Sequence, residues 1–556
     1  MNRAAFCLLF VLAAAGAFAQ NPGWLWAVSG GGGGDDQVSD LATQSAFPGG
    51  SNKYIIGSFT GTAYFGASTL TSAGGTDIYV AKLDQYGNCL WAVRAGGPNN
   101  DHGVNISNDG LGYMCITGDF TGTASFGTTS LTSANSSYPD IFVAKLDSDG
   151  AWQWAVKAGA AYEDYGMGIS NDNAGNSYVT GSYYASTGSA TFGSITLPHS
   201  DLSDDIFVAK LSPGGTWLWA VKAGANWDTW NSDRAYSIHT DYSTGTSFVT
   251  GSFEGTIHFG GYSFSSAGGA DLFVAILDSS GNYIGAQRAG GTGFDRGYAI
   301  TADLSGVSYV AGSFAGTATF AYNQQLVSSG SNDICVAKLS SDGSSWQWAV
   351  RAGGSGQDWG YGVALGDKVY LTGSFRTTAG FGFTSLTSGG LDDIFAAALD
   401  TSGNWQWAVR AGSAGADFGR GITAAFSSFG GWRVTVAGDY ENTVRFSGAL
   451  LSSAGQSDAF ITQPVANYGA IVPPAPQNLA ISVPGPNQIN LQWEPVTHDT
   501  NGNPLTINHY AVYYSLDQIN PPAFIFLRNE YTNSCFLTPE VMPPRVFFLV
   551  KAVVLD

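Results

Sequence analysis

Apolar and polar positions alternate with a period of two in short runs along most of this chain, as in Trp405-Gln406-Trp407-Ala408-Val409-Arg410-Ala411. Such alternation predicts half-buried strands. In one representative stretch it predicts four of them, near Gly360–Leu365, Lys368–Phe375, Asp393–Leu399 and Trp405–Ala411. Asp400-Thr401-Ser402-Gly403-Asn404 is read as a hairpin turn, in which glycine supplies the positive φ.

The four-strand pattern recurs. Trp-x-Trp-Ala-Val-[Arg/Lys]-Ala-Gly stands at Trp152–Gly159, Trp217–Gly224, Trp346–Gly353 and Trp405–Gly412. A copy with Cys89 in place of the first Trp runs to Gly96, a degenerate one spans Tyr283–Gly290, and an isolated one, Trp24–Gly30, stands near the start. A second marker of the type Asp-Ile-Phe-Val-Ala-Lys-Leu begins at Asp77, Asp140, Asp205, Asp271, Asp333, Asp393 and Asp458, at spacings of 63, 65, 66, 62, 60 and 65. Four strands per copy, repeated radially, predict an all-β fold: a seven-bladed β-propeller over residues 24–466. Each copy exceeds an ordinary blade between its second and third strands. There Gly122–Gly127 followed by Leu131–Ser133 reads as an extra hairpin on one face. The seventh copy lacks a Trp-x-Trp strand. Trp24–Val28 is expected to supply it, antiparallel to Ala459–Pro464, since an open ring would expose a sheet edge.

On these residues the repeats resemble the seven-bladed β-propeller repeat of bacterial extracellular proteins. The resemblance rests on Gly353-Gly354-Ser355-Gly356-Gln357-Asp358-Trp359-Gly360, on Leu371-Thr372-Gly373-Ser374-Phe375 and on the Asp-x-Phe-Val-Ala-Lys-Leu marker, and covers about residues 24–465. It implies surface or secreted placement and a propeller, and it names no substrate. Residues 467–476 form a linker rich in proline, Val472-Pro473-Pro474-Ala475-Pro476. Residues 477–556 resemble a fibronectin type III β-sandwich through Gln477–Ile481, Ile489–Trp493, Tyr510–Tyr514 and Phe548–Val553. Trp493 would be its core tryptophan, while Val546 stands where that family places a tyrosine. One further strand is expected of such a fold. The module is therefore expected to lack its last strand here, and the natural polypeptide to continue.

Residues 1–19 have the pattern of an export signal: Arg3, an apolar run Phe6–Ala15 and the small-x-small site Ala17-Phe18-Ala19. Secretion or cell-surface placement is expected, with no membrane insertion, since no later stretch is apolar and long enough to span a bilayer. A formal net charge of −20 disfavours nucleic acid and anionic membranes as partners. Glycine (76 residues) and 13% aromatics against 12% charged residues fit short strands joined by tight turns. Cys89, Cys115, Cys335 and Cys535 show no paired spacing, which argues against a disulfide framework or zinc site and for small apolar core residues.

Catalytic motifs are not found. The six histidines, at 102, 199, 239, 258, 498 and 509, form no HExxH, no Gly-x-Ser-x-Gly set accompanies them, and no P-loop lysine follows the glycine runs. No catalytic residue, metal or cofactor is assigned. Two sets of aspartates recur: one before each first strand (Asp36, Asp101, Asp164, Asp233, Asp295, Asp358, Asp417) and one opening each third strand. Clustered hard oxygens suit calcium. The alternative is structural: carboxylates tying down loop N–H groups, with Asp77 roughly opposite Ala95 and beside Arg94. Recurrence in all copies at differing loop lengths favours the structural role. The repeating tryptophans likewise read as packing.

The residue after each first-strand Asp does not repeat: Gln37, His102, Tyr165, Arg234, Arg296, Trp359 and Phe418. These seven are expected to ring the mouth of a central channel. The extra hairpins, the stretch 186–204 and the insertion 226–232 are expected on the same variable face, with Trp227 and Trp230 as rim anchors. Aromatics and arginines there suit a glycan or peptide. The expected function is a non-enzymatic binding or adhesion protein with a glycan or protein ligand. The alternatives are a structural spacer in a larger surface protein and a polysaccharide-active propeller enzyme, which would need a carboxylate pair or a His/Tyr/Arg set in the mouth.

Overall fold

The computed structural model describes residues 23–46, 50–184, 189–198, 203–224, 232–321, 324–426, 432–447 and 449–465, and six strands between 480 and 553. The export-signal pattern, the proline-rich linker, Trp227, Trp230, Trp493 and Val546 lie outside the described residues. The chain is an all-β, repeat-like protein. Among the described residues no helix is long and apolar enough to cross a membrane.

One order of pairing recurs through residues 23–465. In each unit a first strand pairs with a second, the second with a third and the third with a fourth, all antiparallel. The first strands are Asp36–Ala46, Asp101–Asn108, Asp164–Asn171, Arg234–Thr240, Arg296–Ala302, Asp358–Leu365 and Phe418–Phe426. Each contacts the next, and the last contacts the first. The fourth strands, among them Cys89–Ala95, Trp152–Gly159 and Trp405–Ala411, lie at the far side of their units. For the seventh unit that place is taken by Gly23–Gly32. It runs antiparallel to the strand ending at Val465, with Trp24 opposite Pro464 and Gly30 opposite Ala459.

The turn between third and fourth strands is set by its aspartate. In the sixth unit Asp400 Oδ1 accepts the Asn404 N–H at 2.9 Å, and Gly403 adopts φ 90°. The second tryptophan of the preceding outer strand lies against that glycine, Trp348 on Gly403 and Trp91 on Gly150. Its indole N–H donates to a carbonyl of the same turn, Trp348 to Thr401 at 3.1 Å and Trp91 to Ser148 at 3.1 Å. A ring of this kind links neighbouring units at Gly87, Gly150, Gly215, Gly281 and Gly403, while Gly343 meets Ile276 instead. Between units the cores are apolar; Ile78, Val80, Ile116, Phe126, Phe142 and Leu146 form one such layer, with Trp152 against it.

The expected extra hairpins are present, as in Thr123–Phe126 with Thr129–Thr132. Each reaches back to the end of the preceding outer strand: Ser125 pairs with Gly96, Phe192 with Ala158, Gly380 with Gly353 and Tyr64 with Gly31. In the first, fifth, sixth and seventh units they continue the second and third strands, which run through a bulge such as Arg376/Thr378. They seal the joints because an unpaired outer strand end would otherwise leave backbone groups without partners. One expectation needs correction, in register: Ile78, not Asp77, lies opposite Ala95.

The strands beyond 480 form a separate compact body. Ala480–Ser482, Ile489–Gln492 and Ser534–Leu537 make one three-stranded sheet. Ile525–Glu530, His509–Ser515 and Phe547–Val553 make another, also antiparallel.

Candidate functional site

The site is built on the first strands. The aspartate entering each one is buried and acts as a loop staple. In six of the seven, Oδ2 accepts the N–H four residues earlier, as Asp101 does from Gly97 at 2.6 Å and Asp358 from Gly354 at 2.8 Å. In all but Asp36, Oδ1 accepts an N–H at the end of the second strand, as Asp101 does from Thr121 at 3.1 Å and Asp358 from Arg376 at 3.1 Å. Burial pushes Asp36, Asp101, Asp295, Asp358 and Asp417 up to about 7, and Asp164 well above the ordinary carboxylate range. The third-strand aspartates instead meet the outer-strand cation: Arg94 holds Asp77 at 2.5 Å, Lys157 holds Asp140 at 3.0 Å and Arg410 holds Asp393 at 2.6 Å. Among the described residues no group of three His, Cys, Asp or Glu is placed to hold a metal ion.

With the staple fixed, the next residue is aimed by the strand. Gln37, His102, Tyr165, Arg234, Arg296, Trp359 and Phe418 lie opposite Ser58, Asp119, Ser182, Ser252, Ser313, Ser374 and Asp439 of the second strands. Gln37 is exposed and the other six are half-buried. Their polar partners are specific. His102 Nδ1 lies 2.9 Å from Asp119, and that hydrogen bond raises the imidazole's pKa above its ordinary value. Arg234 grips Asp204 through Nε and Nη2, at 3.0 and 2.8 Å, and lies within electrostatic reach of Tyr165. Among the described residues no carboxylate pairs with Arg296, which stacks over Phe294 at 5.5 Å and lies beside Tyr298.

Sequence reasoning missed a second ring, two residues further on. Every first strand bulges there, so Ser39, Val104, Met167, Tyr236, Tyr298, Tyr361 and Arg420 each sit unpaired in the ladder. A bulge re-aims its side chain and adds local twist. All seven are half-buried, and four of them form a continuous arc over consecutive units. Tyr236 and Tyr298 are 5.5 Å apart between ring centroids, Tyr298 and Tyr361 5.4 Å, and Arg420 lies 5.2 Å over Tyr361. Trp359 stacks on Tyr361 at 6.2 Å, and Arg420 also covers Phe418 at 4.4 Å. Burial lifts the Tyr361 phenol to about 12, so it remains a hydrogen-bond donor at neutral pH. Burial opposes the charge of Arg420, but Asp439 at 3.0 Å outweighs it and raises the guanidinium's pKa.

The opposite half differs. Ser39, Val104 and Met167 carry no ring. One step deeper, Asp40 accepts from Asn105 Nδ2 at 2.7 Å, and Asn105 Oδ1 accepts from the Ile169 N–H at 2.8 Å, tying three first strands together. The ring formed by the first strands is therefore one-sided, with rings and guanidiniums in the fourth to seventh units. The signal for the missed ring was available: the position three after each staple Asp varies as freely as the position one after it, and a period of two puts both on one face.

No family model matches the chain. It is similar to an uncharacterized WD repeat-containing protein of Acanthamoeba polyphaga mimivirus, 25% identical over 180 residues. That match covers 29% of this chain and 12% of the viral protein, so the chain spans only a small part of its relative's length.

Proposed function

We propose that residues 23–465 are a seven-bladed β-propeller, closed by the strand at Gly23–Gly32 and followed by a fibronectin type III-like module, and that the protein is a secreted or cell-surface, non-enzymatic glycan-binding protein. The propeller reading is supported by the cyclic contacts of the first strands and by the likeness to a WD repeat-containing protein. The fibronectin-like reading is supported by the presence of two three-stranded antiparallel sheets after residue 480.

The observation that carries the binding reading is the arc Tyr236–Tyr298–Tyr361–Arg420 beside Arg296 and Trp359. Aromatic faces stack on the C–H faces of sugar rings, while phenol and guanidinium donors meet hydroxyl and carboxylate oxygens. A binding role is further favoured by the state of the nearby carboxylates. Asp119, Asp204, Asp392 and Asp439 each face a basic side chain (His102, Arg234, Arg376 and Arg420), an arrangement suited to holding donors in position. A glycan array probed with the full chain tests the reading. Binding that is lost in Tyr298→Ala and Trp359→Ala supports it; binding that survives both in folded protein places the site elsewhere.

A further inference from the structure

At six of the seven joints between units, the first residue of the outer strand is an aromatic ring set against a hairpin phenylalanine. Trp24 meets Phe446 at 5.3 Å, Trp152 meets Phe126 at 5.4 Å, Trp217 meets Phe192 at 5.1 Å, Trp346 meets Phe320 at 5.3 Å, Trp405 meets Phe381 at 5.3 Å, and Tyr283 meets Phe259 at 5.7 Å, all edge to face. At three joints the indole N–H also crosses to the preceding unit. Trp24 donates to the carbonyl of Arg410 at 2.8 Å, Trp346 to Arg288 at 2.9 Å and Trp405 to Arg351 at 3.2 Å.

The remaining joint is the seam where Gly23–Gly32 meets the first unit, and there the residue is Cys89. A thiol fills little of the volume of an indole. A cavity of about 370 Å³ lies here, with Val28, Ser29, Phe65, Leu83, Cys89 and Ile461 among its walls; another, of about 340 Å³, lies beside Trp24. Its edge includes exposed Asn88 and half-buried Cys89, so it reaches the surface. Phe65 stands where Phe126 and Phe381 stand, with its glycine neighbour Gly66 against Cys89 as Gly127 is against Trp152. Ser29 pairs with Phe460 as Arg288 pairs with Phe273, so its carbonyl takes the place of the indole acceptor. Ser29 also stands where the other outer strands carry Arg, Lys or, at the degenerate copy, Arg288, so no long side chain covers the opening.

We propose that this seam cavity is a binding site for a small aromatic molecule of indole size that carries one ring-borne hydrogen-bond donor. The other joints show what the walls complement: a planar ring edge-on to phenylalanine, with its donor aimed at a carbonyl of the preceding unit. Apolar cavities of this kind accept aromatic guests. The site is separate from the channel mouth. A guest there touches Val28 and Ile461 on one side of the seam and Phe65 and Leu83 on the other, so binding it also tightens the closure.

The test uses the full chain and indole. Alkylation of Cys89 by iodoacetamide, followed at that residue by mass spectrometry, is expected to slow about tenfold once indole reaches about ten times its Kd, because only the empty fraction reacts. The thermal midpoint is expected to rise with indole in the wild type and in Cys89→Ala. Cys89→Trp is expected to raise the midpoint without ligand and to abolish the response to indole. Unchanged alkylation and midpoint up to the solubility of indole would overturn the proposal, as would an indole response that persists in Cys89→Trp. If Cys89→Trp does not fold, protection of the wild-type thiol decides the matter.

Discussion

Trp24 Nε1 donates a 2.8 Å hydrogen bond to the carbonyl of Arg410, joining residues 386 positions apart. The same ring meets Phe446 edge-on at 5.3 Å, and the Trp24 backbone N–H donates to Ser447 Oγ at 2.8 Å. One buried side chain thus fastens the sixth and seventh units. Trp24→Ala removes the ring, its hydrogen bond and a packed volume at once. The expected loss is about 3–5 kcal/mol of stability, read as a lower midpoint in urea or thermal unfolding. A midpoint equal to that of the wild type would show that the closing strand contributes nothing to stability.

The strands were legible because their pattern is local. Trp405–Ala411 falls at the same bounds in sequence and structure, since alternation and a Gly-Asn turn fix both its ends. The link from outer-strand cation to third-strand Asp was legible as well, although it reaches across a register that differs by one residue from the sequence reading. The second ring on the first strands was not read: its variation was visible three residues after each Asp, but the bulge that sets it apart depends on the partner strand. Nor was the backward reach of the hairpins, which depends on where the preceding unit ends. Cys89 was visible as a departure from Trp; that nothing else fills its place was not.

Stability is expected to fall as pH rises from 5 to 8. In the folded protein burial holds Asp36, Asp101, Asp295, Asp358 and Asp417 near 7, whereas an unfolded carboxyl titrates near 3.9, so the folded state binds more protons between those values. The contribution is complete below about 4 and is lost through about 7. His102, raised by its bond to Asp119, acts in the same direction. Thermal melts at fixed ionic strength check this, and Asp358→Asn, which cannot ionise, is expected to flatten part of the slope. A midpoint that climbs towards pH 8 would contradict the assignment.

Ser29→Arg is expected to stabilise the seam. Six outer strands place Arg or Lys against Oδ2 of the third-strand aspartate, whereas the outer strand beside Asp458 carries Ser29 at that place and Asp458 Oδ2 accepts the Ala454 N–H at 3.0 Å. The guanidinium would supply the missing charge. Because Arg94 and Arg410 are themselves one-third or more exposed at the equivalent place, solvent screening keeps the gain to about 1 kcal/mol. Denaturation midpoints of Ser29→Arg and Ser29→Gln separate charge from bulk: a gain shared equally by both would assign it to packing.

The arc on the first strands makes an asymmetric prediction. Tyr298 stands between Tyr236 and Tyr361, at 5.5 and 5.4 Å, and beside Arg296, so its removal breaks the arc at its centre. Val104 holds the same bulge position in the second unit, where no ring is present. If the site lies on the aromatic half, Tyr298→Ala weakens glycan binding at least tenfold, about 1.4 kcal/mol, while Val104→Ala leaves it unchanged. Tyr298→Phe divides the effect: retained affinity assigns it to stacking, and a loss comparable to that of alanine assigns it to the phenol. Calorimetric titration of the best array ligand into the three variants, each checked by thermal melting, measures this. Equal losses at Tyr298 and Val104 would spread the site around the whole channel, and no loss at either would remove it from the channel.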